Sequence, residues 1–335
     1  MGASLSHRSA TTLLAVLISA AFLLPVDAQP SAPSERPTSN ARFDVVGERI
    51  TASHKSVRAV VVSRGDQPIF EHYRRGIDPE KPGDVFAVSK SVTSILIGIA
   101  LGQGKLQSVD QPISDFLPEV LEPGADPRAR GITVKHLLTM TSGFDPNTGS
   151  ALWQWSLRRP LVAAPGAKFE DERETGNILA VLLSRAVKQG GNDFARRNLF
   201  QPIGITSADW RVDDEGNLLG AYGLAMTARD MVKIGSLYLH HGKWNGRQIV
   251  PESFVTESIA PHITGDPADH GYLWWVGKPI GDRRSYFAAG HGGQFIWVSP
   301  ALSTVVAVQS DSDGAILDAF SVVRLILSTV RNSTP

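Results

Sequence analysis

The chain has 335 residues, with 33 basic and 33 acidic side chains. This balanced charge gives no electrostatic reason to expect a nucleic acid or an anionic membrane surface as a partner. The chain contains no Cys, which excludes disulfides, thiol catalysis and thiolate metal sites.

The N-terminal 28 residues predict a secretory signal peptide. A weakly basic head precedes an apolar run at 13–24, and small residues end at Ala28, where we expect cleavage. The run is shorter than the roughly 20 residues that span a bilayer, so a cleaved leader is favoured over a retained anchor. We therefore expect a periplasmic or secreted protein with no membrane contact after cleavage. Residues 29–42, rich in Pro and Ser, predict a flexible leader.

Two strands and a buried helix are predicted next. The runs 57–63 and 68–73 are β-branched or aromatic and flank Arg-Gly-Asp-Gln, which is typical of a hairpin. Residues 87–103 place apolar side chains at helical spacing on several faces, which indicates a buried central helix.

The rest of the chain predicts helices and then a strand meander. Helices are expected at 134–140, 177–187 and 227–240; strands are expected at 272–276, 285–289, 295–299 and 304–309; a last helix is expected at 315–330. This order predicts an α+β fold, an antiparallel sheet flanked by helices. The sheet domain would take about 43–90 and 235–335, with an inserted all-helical domain at about 91–234.

One short motif at the start of the predicted central helix carries the functional signal. Ala87-Val-Ser-Lys90 resembles the Ser-x-x-Lys motif of penicillin-binding proteins and β-lactamase-like serine hydrolases, with Ala at the position of the nucleophilic Ser. Residues i and i+3 share one helix face, so Lys90 could act on a group at residue 87. Lys90 would be a base activated by desolvation, or else a structural lysine that extends from the helix edge to solvent or pairs with a carboxylate.

The resemblance extends over most of the chain. Ordered matches to the same family occur at 132–144, 165–169, 223–230, 272–275 and 290–294. The resemblance implies a serine β-lactamase-like fold and cleavage of small-molecule amides or esters through an acyl-enzyme. Its nearest branch is that of esterases and 6-aminohexanoate-dimer hydrolases, although penicillins and peptidoglycan stems are also used by relatives of similar pattern.

A second departure from the family lies at Asp171. The family places a proton-relaying Tyr there and often an Asn two residues later, where this chain has Asp171 and Arg173. The acidic run is either a changed wall of the cleft or a solvated surface turn. Tyr222 and Trp153 are further candidates for substrate contact, from a glycine-rich loop and from the helical insert.

The resemblance also implies a wall strand at 290–294. His291-Gly292-Gly293 matches the position of the family's Lys-Thr-Gly or His-x-Gly, where Gly293 would admit a ligand's acyl group. The backbone N–H groups of Gln294 and residue 87 would then be the oxyanion donors. The alternative interpretation is an ordinary turn between strands.

Three hypotheses of function remain open at this point. The first is an exported ligand-binding relative that has lost the Ser and the Tyr. The second is an active amide or ester hydrolase in which Ser was deliberately replaced by Ala at position 87. The third is a hydrolase that uses Asp171 as a general base on water, with His291 and the two backbone N–H groups stabilising the oxyanion. Neither a metal site nor a cofactor is predicted, because no ligand spacing and no phosphate-binding loop occurs. The sequence does not indicate an oligomeric state.

Overall fold

A computed structural model describes residues 39–146, 153–171, 174–278 and 284–333. The predicted signal peptide and Arg173 lie outside these ranges. The helices, in chain order, are α1 Ser39–Ser53, α2 Val88–Gly102, α3 Val134–Leu138, α4 Trp153–Arg158, α5 Glu174–Val187, α6 Gly191–Ala195, α7 Ala228–Leu239, α8 Glu252–Ser258 and α9 Ile316–Asn332.

The strands fall into one large sheet and two small ones. They are β1 Val57–Arg64, β2 Gln67–Tyr73, β3 Gly83–Asp84, β4 Asp209–Trp210, β5 Leu224–Met226, β6 Lys243–Trp244, β7 Arg247–Gln248, β8 Ala268–His270, β9 Trp275–Gly277, β10 Tyr286–Gly290, β11 Gln294–Ser299 and β12 Thr304–Ser310. The large sheet has the order β2-β1-β12-β11-β10-β9-β8 and pairs antiparallel throughout. The predicted antiparallel sheet, built from both ends of the chain, is therefore confirmed.

Helices cover both faces of the large sheet. On one face, Val61, Ile296 and Ala307 belong to the same apolar cluster as the side chains of α2 and α7. On the other face, Val60, Val306 and Trp297 pack with α1 and α9. Strand β12 is buried along its whole length because both of its faces are covered. This layering holds the first turn of α2 against the sheet.

Several predicted elements differ from the structure. The predicted strand 272–276 is wrong for its first part, because Tyr272 to Trp274 form the connection between β8 and β9. The flexible leader predicted at 29–42 extends too far along the chain, because its last four residues belong to α1, which begins at Ser39. The insert is not all-helical, because β4 and β5 within it pair with each other and with β3. Within the described ranges, no helix is both long and apolar enough to cross a membrane.

Candidate active site

The site is organised around the first turn of α2. Ala87 is the N-cap residue, half-buried and already in helical conformation, so Ala87 and Lys90 share one face as their spacing predicts. Phe86, directly before it, has a φ of +48°, the left-handed region that costs energy for a residue with a side chain. A non-glycine residue in this conformation is held only where its surroundings fix it.

Ser89 fixes this turn. Its hydroxyl donates to the Phe86 carbonyl oxygen at 2.6 Å and accepts from the Leu224 N–H at 3.1 Å. Ser91, on the other side of Lys90, donates to the Leu273 carbonyl oxygen at 2.6 Å. Both serines are buried, so neither hydroxyl is available to replace a nucleophile at residue 87.

Lys90 and Asp171 form an ion pair in the site. The Lys90 Nζ lies 2.7 Å from the Asp171 Oδ1, and the two side chains are only 12% and 21% exposed. Asp171 is therefore not a solvated turn residue, since it lies against the lysine of the motif. The amine is paired with a carboxylate, which is one of the two roles that the sequence leaves open for it.

The segment that carries Asp171 is docked on Met140. The Glu170 N–H donates to the Met140 carbonyl oxygen at 2.9 Å, and the Met140 Sδ lies 3.8 Å from the Lys90 Nζ. Phe169 packs its ring on His270, with the ring centroids 5.1 Å apart. Backbone and ring contacts thus place the Asp171 carboxylate, which lies 81 residues from Lys90 in sequence.

His270 is a site residue that the sequence analysis missed. Its ring packs between Phe169 and Trp275, and it feels the charges of both Asp171 and Lys90. Burial lowers the pKa of His270 to about 3, with the Asp171 charge acting against this change and the Lys90 charge with it. The imidazole is therefore neutral at neutral pH. The available signal was its place directly before the Gly-Tyr-Leu-Trp-Trp run that matches the family.

The wall of the site differs from the sequence interpretation. His291 lies in the turn 291–293 rather than on a strand, because Gly292 and Gly293 have φ values of +76° and +97° and reverse the chain there. A Cβ on Gly293 would lie 2.7 Å from the Ala319 Cβ of α9, so this glycine serves contact with a helix. The alternative interpretation as a turn is the one that the conformation supports.

Gly290 is the wall residue that lies against the first turn of α2. A Cβ there would lie 2.3 Å from the Val85 carbonyl oxygen and 3.3 Å from the Ala87 nitrogen. The Gln294 side-chain amide donates to the Ser310 carbonyl oxygen at 2.9 Å and accepts from the Ser310 N–H at 3.1 Å, which leaves the predicted oxyanion role of its backbone N–H a prediction. This side chain ties β11 to β12.

The rim of the site carries aromatic and charged groups. The exposed His291 meets Phe86 edge to face, with ring centroids 5.7 Å apart. On the small sheet, Arg211 pairs with Asp84 at 3.1 Å and donates to the Tyr222 carbonyl oxygen at 3.4 Å. Tyr222 is half-buried in the loop between β4 and β5, and its N–H donates to the Leu219 carbonyl oxygen.

Trp153 belongs to the core of the insert. It is 3% exposed, and the Arg185 guanidinium covers its ring at 5.2 Å from the centroid. A side chain enclosed in this way offers almost no surface to a ligand, so its predicted substrate contact is not supported. In the part of the chain that the structure describes, no three His, Asp or Glu side chains come together as a metal site.

Comparisons with known proteins identify the family of this chain. A family model described as beta-lactamase matches residues 46–331. A 6-aminohexanoate-dimer hydrolase from Paenarthrobacter ureafaciens is 23% identical over 284 residues, which cover 74% of this chain and 71% of that protein.

Solved structures share the fold. A penicillin-binding protein homolog from Caulobacter crescentus superimposes with a TM-score of 0.74 at 14% identity, covering 89% of this chain and 99% of that one. The D-alanine carboxypeptidase AmpC from Burkholderia cenocepacia gives 0.72 at 16% identity, covering 87% and 100%. Because the family match takes in nearly all of the described residues, this chain belongs to the beta-lactamase family.

Proposed function

We propose that this protein is an exported, non-catalytic or weakly catalytic member of its family that binds a small-molecule amide or ester. The observation that carries the proposal is the ion pair between Lys90 and Asp171 beside Ala87. Acyl transfer in the family needs a hydroxyl that attacks the carbonyl carbon and a base that takes its proton. Here the side chain at residue 87 is a methyl group, and the lysine amine contacts a carboxylate.

Two changes in one site support the loss of turnover better than one change would. In the family, the Ser and the Tyr act together on the same protons. Once one of them is lost, selection no longer maintains the other. Ala87 and Asp171 stand at those two positions, and the Asp171 carboxylate compensates the charge of Lys90, whose side chain is only 12% exposed. Export is supported by the signal peptide that the sequence predicts, and cell fractionation would test it.

The proposal is tested by covalent labelling of the purified protein. We expect no adduct with a fluorophosphonate or with benzylpenicillin in an intact-mass measurement. Ala87→Ser alone should give little ester hydrolysis, because Lys90 stays paired with Asp171. Ala87→Ser combined with Asp171→Tyr restores both family positions and should be labelled faster than either single variant.

Two outcomes would count against this interpretation. A stable adduct on any Ser of the unmodified protein would overturn the non-catalytic proposal. Fast ester hydrolysis by Ala87→Ser alone would support the second hypothesis, an active serine hydrolase whose nucleophile was replaced. Slow turnover without an adduct would not distinguish the proposals, since an oxyanion site and binding alone give some rate. Labelling therefore decides, and rate does not.

A further inference from the structure

Two cationic side chains that the structure describes at the site are paired with carboxylates of the chain itself. Lys90 pairs with Asp171 at 2.7 Å on the floor of the site, which consists of the first turn of α2 and the segment 169–171. Arg211 pairs with Asp84 at 3.1 Å on the rim. His270 adds no charge, because burial lowers its pKa to about 3. Each of these two cations already has an anion, so neither presents an uncompensated charge to a ligand.

Asp171 occupies the place that a ligand's carboxylate would take on Lys90. Because the chain holds it there, its effective concentration at the ammonium is far above that of any dissolved anion. A ligand carboxylate would have to displace Asp171 and leave it half-buried without its partner, or lie beside it as a like charge. Both arrangements are unfavourable. An ester or amide carbonyl needs only hydrogen-bond donors, so it meets neither penalty.

We propose that Asp171 is a specificity-determining residue that makes this site select uncharged amides and esters over carboxylate anions. This selectivity rests on the proposed ligand-binding function and names the chemical class of its ligand. It separates two groups of compounds that relatives of similar pattern use, since penicillins carry a carboxylate and short esters do not. The exposed pair of Arg211 and Asp84 contributes the same preference more weakly, because solvent screens it.

Matched ligands test the selectivity without any mutation. Benzylpenicillin and its methyl ester differ by one charge, as do N-hexanoylglycine and its methyl ester. We expect calorimetry on the purified protein to show each ester binding at least about tenfold more tightly than its acid, which corresponds to about 1.4 kcal/mol. Equal affinity, or tighter binding of the acids, would overturn the proposal.

Asp171→Asn reports on the residue itself. It keeps the side-chain size and removes the carboxylate charge that competes with a ligand's carboxylate for Lys90, so the acids should gain about tenfold or more in affinity. The esters should change by less than about threefold. Glu170→Gln is the matched control. It also removes one carboxylate charge, at the neighbouring residue, but Glu170 pairs with the exposed Lys168 and not with Lys90. An unchanged ratio of acid to ester binding in Asp171→Asn would contradict the assignment.

Failure of the two proposals gives different results. No binding of either ligand pair at millimolar concentration would contradict the ligand-binding function, whereas binding without discrimination contradicts only the role of Asp171. An acyl adduct in the mass spectrum would contradict the non-catalytic function. The selectivity could then still be measured from the reversible binding that precedes acylation. If Asp171→Asn does not fold, Asp84→Asn at the exposed rim remains as the second variant, with a gain in acid binding of about twofold to threefold.

Discussion

The floor and the wall of the site are held by different kinds of contact. The floor consists of the first turn of α2 and the segment 169–171, and its central contact joins two side chains, Lys90 and Asp171. The wall is the end of β10 and the turn 291–293, and its central contact joins backbone to backbone, Gly290 against the Val85 carbonyl oxygen. One surface depends on charge and the other on close packing.

This difference indicates which changes the fold tolerates. Side chains of the floor can be exchanged if their charges are balanced, because the backbone beneath them is fixed independently by Ser89 and Ser91. The wall has no such freedom, since a side chain at Gly290 would collide with main-chain atoms. A family fold can therefore persist while the chemistry of its floor changes.

The largest effect is expected at the wall. Gly290→Ala places a Cβ 2.3 Å from the Val85 carbonyl oxygen, a backbone atom that cannot rotate away. We expect a loss of about 3 kcal/mol in the free energy of unfolding, measured by urea denaturation. Gly131→Ala is the control, because nothing lies within 4 Å of a Cβ there. Equal stability of the two variants would show that the wall does not depend on this contact.

The floor should show strong coupling between two side chains. Lys90→Met and Asp171→Leu each break this ion pair between side chains that are mostly shielded from solvent, so each should lower the free energy of unfolding by about 1–3 kcal/mol. The double variant removes both charges and should recover most of the loss. A double-mutant cycle measures the difference.

The exposed pair of Arg196 and Asp193 gives the comparison for that cycle. Its side chains are 51% and 55% exposed, so its coupling should be below about 0.5 kcal/mol. Additive effects at Lys90 and Asp171 would mean that the ion pair does not stabilise the floor.

The sequence predicted the elements that carry strong periodicity. The apolar spacing of 87–103 predicted α2 to within a residue at each end, and the hairpin of β1 and β2 followed from two β-rich runs around a turn. The motif spacing also put Ala87 and Lys90 on one face. These features depend on neighbours in sequence, which is why the sequence contains them.

Features that depend on tertiary contact were missed. His270 lies within the electrostatic influence of Lys90 and Asp171, and the segment after it is bound to α2 through Ser91 and to Leu138 through the Leu273 N–H. No local pattern reports those bonds. The turn at 291–293 was assigned to a wall strand because the resemblance to the family implied one there, whereas the reversal of the chain depends on two positive φ values. Neither the Lys90–Asp171 distance nor the burial of Trp153 has a local signal.

The stability of the protein in acid should depend on His270. The folded protein keeps His270 unprotonated down to about pH 3, while the unfolded chain binds that proton near pH 6.5. The unfolded state therefore binds more protons between these values, so this group makes stability fall as the pH falls from about 6.5 to about 3. The slope is at most about 1.4 kcal/mol per pH unit.

His270→Phe isolates that contribution. It keeps a ring between Phe169 and Trp275 and removes the titrating group, so the dependence of unfolding free energy on pH should flatten across that window. His240→Phe, at a histidine that is exposed, is the matched control. If the curves of unfolding free energy against pH are parallel for His270→Phe and the unmodified protein, the buried imidazole does not cause the loss of stability in acid.

The smallest effect is expected at the rim, where the pair of Asp84 and Arg211 is exposed. Solvent screens this pair, so Arg211→Gln should change the free energy of unfolding by less than about 1 kcal/mol. Added salt should reduce that change further, because the Debye length falls to about 3 Å at 1 M. Urea denaturation at low and high salt measures both. A larger change that salt does not reduce would mean that Arg211 holds the Tyr222 loop through its bond to the backbone, and that the rim depends on main-chain contacts as the wall does.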